Sequence, residues 1–494
     1  MSPPGDRRDR AGHQRGEARA GGRSARTAQA PAQRRRSGDP ARTAAFDVLR
    51  EVGGSDAYAN LVLPPLLRHR GITGRDAAFA TELAYGTLRM RGRYDLVIAQ
   101  AASRPVTDID PPVLDALRLG VHQLQAMRVP PHAAVSETVA LTRAKVGAGP
   151  AQFVNAVLRR VSETPVEAWL ERVADAAGEE PVARAAAVHS HPLWIARALR
   201  QALVAHGRSP DELDALLAEH NDAAPVTLVV RPGLADRETV LAGHPGAGRG
   251  RWTPTAVTLA GGDPAAVLGV RQGRVGVQDE GSQLVALAFA AVQIEGPDLR
   301  WLDLCAGPGG KSALLGALAA ERGAHVVSTE IAPHRALLVE RAVVALPPGV
   351  VDVRCGDGRD VGRDEPGGYD RVLLDAPCTG LGALRRRPEA RWRRTPADLT
   401  SLTTLQADLL ASALDAVRPG GVVGYVTCSP HVAETQLVVA DALKRRDDVV
   451  QLDAREAVRR VAGPDIPLGD GPSVQLWPHV HGTDAMHLTL LRRT

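Results

Sequence analysis

From Pro40 to about Ser162 the apolar positions recur at helical spacing. Ala44, Ala45, Val48, Leu49 and Val52 form one stripe, Ala80, Ala84 and Leu88 beside Leu83 a second, and Phe153, Val154, Val157, Leu158 and Val161 a last one. The pattern predicts a small helical bundle. Helical patterning continues from Val166 to Ala218 with a break at His191-Pro192, which predicts a connector that links or braces the C-terminal half. At Pro225 the period changes: Val226 to Val230 and Trp252 to Leu259 are β-branched runs between Gly- and Pro-containing turns, and they predict a small α+β subdomain over 225–295. Beyond Pro297 short strands alternate with helices at Arg300–Leu304, Ser312–Glu321, His325–Glu330, Pro333–Leu346, Tyr369–Asp375, Leu405–Val417 and Val422–Thr427. That alternation predicts a doubly wound α/β sheet over 296–494.

Residues 1–39 have little to bury and carry Arg34-Arg35-Arg36 among Gly, Ala and Pro, so a disordered basic tail is expected there, free in solvent or resting on RNA phosphates. The organisation is then tail 1–39, helical domain 40–165, helical connector 166–224, small subdomain 225–295 and α/β domain 296–494. A length of 494 residues, with 44% hydrophobic and 23% charged positions, excludes a collagenous or wholly disordered chain and suits several cores. The formal charge of +4 is misleading, because the tail holds ten Arg against Asp6, Asp9, Glu17 and Asp39, leaving the remainder at −2. No 18-residue apolar stretch occurs, and the first residues lack the apolar segment of a signal peptide, so a cytoplasmic protein without membrane contact is expected. Four cysteines, none in a Cys-x-x-Cys pair, argue for reduced thiols over a disulfide framework or a zinc site. The pairs His189/His191 and His479/His481 lack companion ligands, and no metal is expected.

The first strand of the α/β region runs into Asp303-Leu-Cys-Ala-Gly-Pro-Gly-Gly-Lys-Ser312, a Gly-rich turn opening a helix, where bare amides can approach a ligand. A phosphate-binding Walker loop needs Gly where Cys305 stands, and a dinucleotide fingerprint needs Gly at Ser312, so both fail. Glu330 closes the next strand, where an acid takes ribose hydroxyls in such sheets, and Asp357 after a third strand is a candidate for the adenine side. An adenosine without polyphosphate fits this set, and S-adenosyl-L-methionine fits it best.

Two cysteines close successive predicted strands, in Asp375-Ala-Pro-Cys378 and in Thr427-Cys428-Ser-Pro430. Strand carboxyl ends are where open α/β sheets place active sites. A thiol beside a methyl donor suits methylation at C5 of a pyrimidine, a carbon too weakly nucleophilic to react unaided. The thiolate adds to C6, the activated C5 takes the methyl, a base removes the C5 proton and the thiol is expelled. Asp375 stands where a carboxyl group could hold and polarise the ring. Spacing alone leaves open which thiol attacks. Lys145, Lys311 and Lys444 are the only lysines among 60 basic residues, and Lys311, inside the Gly-rich turn, suggests a specific role in orienting Asp375 or the cofactor carboxylate. Arg385 to Arg394 carries six Arg and Trp392 and reads as phosphate contacts beside the site, or as a solvated charge run.

These motifs resemble the RsmB family, also called Fmu or Sun, of bacterial 16S ribosomal RNA cytosine-C5 methyltransferases. The resemblance runs from about residue 41 to the C-terminus and is strongest at Asp303–Ser312, Asp375–Gly380 with Arg385–Trp392, and Thr427-Cys428-Ser429. Asn60, Glu82-Leu-Ala-Tyr-Gly86 and Phe153–Arg159 resemble the NusB-type RNA-binding helical domain. The resemblance implies a multidomain chain: an all-α NusB-like domain, a small RRM-like α+β subdomain, and a Rossmann-like class I methyltransferase domain. It implies cofactor contacts from Cys305, Ala306, Gly307, Pro308, Gly309, Gly310 and Lys311, and from Glu330, Asp357 and Asp375. It makes Cys428 the nucleophile and Cys378 its assistant in elimination, with Asp375 and Lys311 completing the catalytic set. Asp279, Glu280 and Ser282 match a family segment expected to line the site. The chain departs from the family's usual pattern at His481–His487, Thr379, Leu381 and Leu228–Arg231. The expected partner is 16S rRNA or its precursor and the expected state a monomer. Rival readings are a transfer-RNA methyltransferase and a non-catalytic RNA-binding assembly factor.

Overall fold

A computed structural model describes residues 39–55 and 57–494. The predicted tail therefore lies outside the described residues except for Asp39, whose carboxylate accepts from the amides of Ala41 (2.9 Å) and Arg42 (3.0 Å) and caps the first helix.

The N-terminal domain is helical, as its stripes predict. Pro40–Gly54, Ala59–His69, Gly74–Arg89, Arg91–Ala102, Pro111–Gln125, Pro131–Lys145 and Ala148–Ser162 are its helices. Pro40, Pro111 and Pro131 stand at first helical positions, where the missing N–H costs nothing. Two apolar clusters hold the bundle, one around Phe46, Leu83 and Leu119 and one around Tyr94, Leu117 and Leu158. The connector is four helices, Val166–Ala176, Pro181–Val188, Leu193–Ala205 and Leu213–Glu219. Its Ile195, Leu199, Leu216 and Leu217 share one core with Leu381, Leu384 and Trp477 of the α/β domain, so the connector does brace the C-terminal half.

The small subdomain is a four-stranded antiparallel sheet in the order β2-β3-β1-β4, with β1 Val226–Val230, β2 Gly248–Arg249, β3 Ala256–Leu259 and β4 Val275–Val277. The helix Glu280–Ala291, next in the chain, packs Leu284, Val285, Ala288 and Phe289 into the core of the α/β domain.

That domain holds an eight-stranded mixed sheet, β5 Arg300–Asp303, β6 His325–Glu330, β7 Val351–Cys355, β8 Tyr369–Asp375, β9 Val417–Thr427, β10 Val449–Leu452, β11 Val474–Gln475 and β12 His487–Arg493. The path runs β10-β12-β9-β8-β5-β6-β7, with β11 beside β12. Strands β5 to β9 are parallel and β12 is antiparallel to all three of its partners, β9, β10 and β11. Helices cover both faces: Gly310–Arg322 and Ala454–Ala462 on one, Pro396–Ala416 and Gln436–Arg445 on the other. Strand order reverses between β5 and β8, and such a switch point opens a crevice at the strand carboxyl ends. No helix among the described residues is long and apolar enough to cross a membrane.

Four arginines of the run, Arg385, Arg386, Arg391 and Arg393, fasten the domains together, whereas Arg387 is exposed. Arg391 is fully buried and donates to Asn221 Oδ1 (2.7 Å), Arg89 O (3.2 Å), Ser190 O (3.3 Å) and His220 O. Burial and the neighbouring Arg89 lower its pKa to about 9. Arg393 reaches Val52 O (2.8 Å) and Ala57 O (2.6 Å) in the helical domain. Arg386 joins Asp279 (2.7 Å) to Asp484 (3.1 Å), and Arg385 adds Asp484 (3.2 Å) and Gly482 O (2.7 Å). Sequence pattern could not show this, because each acceptor is remote in the chain.

This packing has two measurable consequences. Arg391→Ala strands three buried acceptors and the half-buried Asn221, and at about 1–3 kcal/mol for each unpaired buried group the variant is expected to lose on the order of 3 kcal/mol or more in urea denaturation. Near-native stability would contradict the fastening role. Five histidines, four buried and His206 partly so, have pKa values depressed chiefly by burial: His191, His220 and His487 strongly, and His206 and His481 to about 4. Their folded values lie below the unfolded value of about 6.5, so the stability they contribute is full above that pH and is lost as pH falls toward 4. A thermal midpoint that drops steeply between pH 6.5 and 4.5 is the expected result, and a flat profile would refute it.

Candidate active site

The predicted residues stand at the carboxyl ends of five parallel strands, β5 to β9, around the switch point. After β5 the chain turns through Cys305–Gly309 into the helix Gly310–Arg322. Packing and backbone both require glycine at Gly309, where φ is +103° and a Cβ would stand 2.7 Å from Ala342 Cβ and 2.8 Å from Val339 Cα; a Cβ on Gly307 would stand 2.2 Å from Glu330 Oε2 and displace that side chain. Glu330 accepts from the amides of Gly307 (3.0 Å) and Ala332 (3.0 Å), and Arg335 pairs with it at 3.4 Å. The turn and the acid at the end of β6 thus form one unit. Gly356 N donates to Glu330 O at 3.1 Å and brings the end of β7 alongside. There Asp357 caps the helix Gly358–Asp364 through the Arg359 amide (2.9 Å) and pairs with the Arg359 side chain.

Asp303, fully buried at the end of β5, accepts from Ser312 Oγ at 2.7 Å, while its Oδ1 has no partner. Burial, with the charges of Asp375 and Glu330, raises its pKa to about 7 against the pull of Ser312 and Lys311. Lys311 Nζ donates to Asp375 Oδ2 at 2.7 Å across the switch point, from the β5 turn to the end of β8. Burial works against the Lys311 charge, but Asp375, Cys428 and Asp303 outweigh it and hold its pKa above the ordinary value. Its partner is therefore Asp375, one of the two alternatives the sequence leaves open. Burial and the surrounding acids push the Cys305 thiol up, so it is a protonated, unreactive wall of the turn.

The two thiols from the ends of β8 and β9 meet. Cys378 Sγ lies 3.4 Å from Cys428 Sγ, both half-buried. The hydrogen bond from Cys378 is the chief influence lowering the Cys428 pKa, with Lys311 and Arg387 helping against burial and Asp375. The same bond, burial and the charges on Cys428 and Glu434 push Cys378 up. The pair thus favours the charge on Cys428 and the proton on Cys378. Gly382 holds the Cys428 backbone: its amide donates to Cys428 O at 2.9 Å, its carbonyl accepts from Ala485 N at 2.9 Å, and a Cβ there would meet Ala485 O at 2.3 Å.

Residues expected to line the site have other partners. Glu280 accepts from the amides of Arg251 (3.1 Å), Trp252 (2.6 Å) and Thr253 (2.9 Å), anchoring a loop of the small subdomain. Asp279 caps its helix and binds Arg386. Ser282 Oγ accepts from Gln278 Nε2 at 3.1 Å. The paired histidines are occupied too, with His189 on Asp214 (2.9 Å) and His479 on Glu212 (2.8 Å). Among the described residues no group of three or more His, Cys, Asp or Glu could hold a metal. Sequence reading misses Glu434, Gln406 and Asp484. The one available signal is an acid a short way beyond the Cys428 motif.

A switch-point crevice with a Gly-rich first turn, an acid at the second strand end and an antiparallel strand inserted near one sheet edge defines a Rossmann-like methyltransferase. Residues 292–492 match the family described as 16S rRNA methyltransferase RsmB/F, and residues 39–163 match the NusB family. The chain belongs to the RsmB/F family of RNA methyltransferases, with a NusB domain fused at its N-terminal side. It is 52% identical over 461 residues to a Mycobacterium tuberculosis protein named "Putative methyltransferase Rv1407", covering 93% of this chain and 98% of that one. It is 32% identical over 421 residues to ribosomal RNA small subunit methyltransferase B of Pseudomonas putida, covering 83% and 91%. The crystal structure of PH0851 shares the fold at a TM-score of 0.74 and 19% identity, covering 92% of this chain and 99% of that one.

The thiol geometry has a direct chemical test. Hydrogen peroxide oxidises a thiolate to a sulfenic acid, which condenses with an adjacent thiol and releases water. One equivalent is expected to give a single disulfide, Cys378–Cys428, reversed by dithiothreitol, with Cys305 and Cys355 left free on non-reducing peptide mass mapping. Oxidation spread evenly over the four cysteines would show that the pair is not held as described.

Proposed function

We propose that this protein methylates C5 of a cytosine in 16S rRNA, using S-adenosyl-L-methionine and a covalent bond between Cys428 and C6. The observation that carries the reading is the thiol pair at the strand ends, 3.4 Å apart, beside the Lys311–Asp375 ion pair. The ribosomal substrate rests on family membership and on relatives named as small-subunit ribosomal RNA methyltransferases. Action in the cytoplasm follows from that substrate.

The cofactor would be held by the turn Cys305–Lys311, by Glu330, by Asp357 and by Asp375. Three features fit it: the packing-enforced Gly309, the free lone pairs left on Glu330, and the unpartnered Oδ1 of Asp303, which an amino group would satisfy. When bound it supplies an electrophilic methyl group. Everything else falls to the protein. The flipped-out cytosine is received at the strand ends, with Asp375, kept in place by Lys311, holding the ring at N3. The Cys428 thiolate forms a bond to C6 and the electron pair of the 5,6 double bond moves to C5, which takes the methyl group. A base removes the C5 proton, the double bond re-forms and the C6–S bond breaks. Cys378 donates its hydrogen bond to the departing sulfur and so eases its expulsion as thiolate.

Bisulfite sequencing of total RNA from cells with the gene intact, deleted, or restored as Cys428→Ala tests this. One 16S cytosine is expected to lose its methyl group on deletion and not regain it with Cys428→Ala. A change confined to a transfer RNA would overturn the substrate, and no change at any site would favour a non-catalytic assembly factor.

A further inference from the structure

We propose that Glu434 is the positioning residue of the two-thiol site, tying the Cys378 and Cys428 loops together and deciding which thiol keeps the proton; this rests on the catalytic reading of that pair. Glu434 touches neither sulfur's expected substrate and lies in no motif the sequence singles out. It is completely buried, as are Gln406, Thr379 and Ser429 around it. Its Oε1 accepts from Thr379 N at 2.7 Å and from Gln406 Nε2 at 3.2 Å, and its Oε2 accepts from the Thr379 hydroxyl. Thr379 directly follows Cys378. The Thr379 hydroxyl, its proton committed to Glu434, is 3.1 Å from Ser429 Oγ, so the Ser429 hydroxyl is the donor in that contact. Ser429 directly follows Cys428. One carboxylate thus holds the residue after each thiol.

The hold is closed from outside as well. Gln406, on the long helix Pro396–Ala416, gives its amide also to Pro377 O at 2.8 Å, and Tyr425 OH of β9 donates to Glu434 O at 2.8 Å. Every contact made to the side chain is a donor, which an ionised carboxylate accepts and a protonated acid would not need. Among the described residues no Lys or Arg pairs with it. A buried carboxylate without a cation is expensive, and a neutral Gln could make most of the same bonds, so the charge itself calls for a reason. Cys378 supplies one: it directly precedes Thr379, whose amide and hydroxyl Glu434 holds, and the charges of Cys428 and Glu434 push its thiol up. At Cys428 the charges of Lys311 and Arg387 oppose that of Asp375, so the charge of Glu434 is what favours the proton on Cys378.

Glu434→Gln preserves shape and removes charge. Its expected effects are a fall in kcat of at least about tenfold with KM little changed, and alkylation of Cys378 by iodoacetamide beginning about one pH unit lower than in the unaltered protein. Glu434→Asp should recover part of both. Alkylation followed site by site needs neither RNA nor turnover, so it decides the positioning role even if Cys428→Ala proves active, which would sink the catalytic reading instead. If Glu434→Gln does not fold, Thr379→Val cuts only the hydroxyl link. It is expected to slow peroxide-driven Cys378–Cys428 disulfide formation while leaving the alkylation profile unchanged. An unchanged Cys378 alkylation profile in Glu434→Gln, or an unchanged disulfide rate in Thr379→Val, would overturn the proposal.

Discussion

A guanidinium buried without a countercharge is the constraint on which the rest of this molecule depends. Arg391 sits among Arg89 O, Ser190 O, His220 O and Asn221 Oδ1, acceptors drawn from the helical domain and the connector. It is carried by the segment between Cys378 and the helix Pro396–Ala416, so the loop that shapes the reactive pair is also the fastening of the N-terminal half. Arg385 and Arg386 repeat the device on the other flank, joining Asp279 before the helix Glu280–Ala291 to Asp484 before β12. A buried polar group must find its partners or destabilise the fold, and the partners of these three arginines exist only when all the domains are in place.

The reactive centre inherits its precision from that frame. Leu381 and Leu384, between Cys378 and the arginines, are buried against connector helices, and Gly382 grips the carbonyl of Cys428. The depressed Cys428 pKa arises from the nearby Cys378, Lys311 and Arg387, and each stands on a different segment. The setting of the Cys428 thiol is therefore a property of tertiary structure, and no single motif contains it.

How much is legible in the sequence depends on the range of the forces involved. Val226–Val230, His325–Glu330 and Tyr369–Asp375 have the bounds their patterns predict, because apolar runs and their breaks are local. The Gly-rich turn, Glu330 and the two Cys-containing strand ends are legible for the same reason: in parallel sheets, strand ends converge wherever the strands lie. Glu434 escapes because its meaning comes from Thr379, 55 residues earlier. The arginine run misleads because charge suggests exposure, whereas Arg391 meets its acceptors 170 and more residues away. The mixed pairing of β12, too, depends on residues 487–493 returning to insert between β9 and the edge strand β10.

The acceptors around Arg391 are neutral, and this separates the domain junction from anything the protein does with nucleic acid. Binding to phosphates is driven by counterion release and collapses as ionic strength rises. Screening acts on pairs of charges exposed to solvent and has little hold on a buried cation solvated by carbonyl dipoles. Concentrated salt therefore strips bound polynucleotide while the halves of the molecule stay joined, and the purified protein can be freed of cellular RNA without being taken apart.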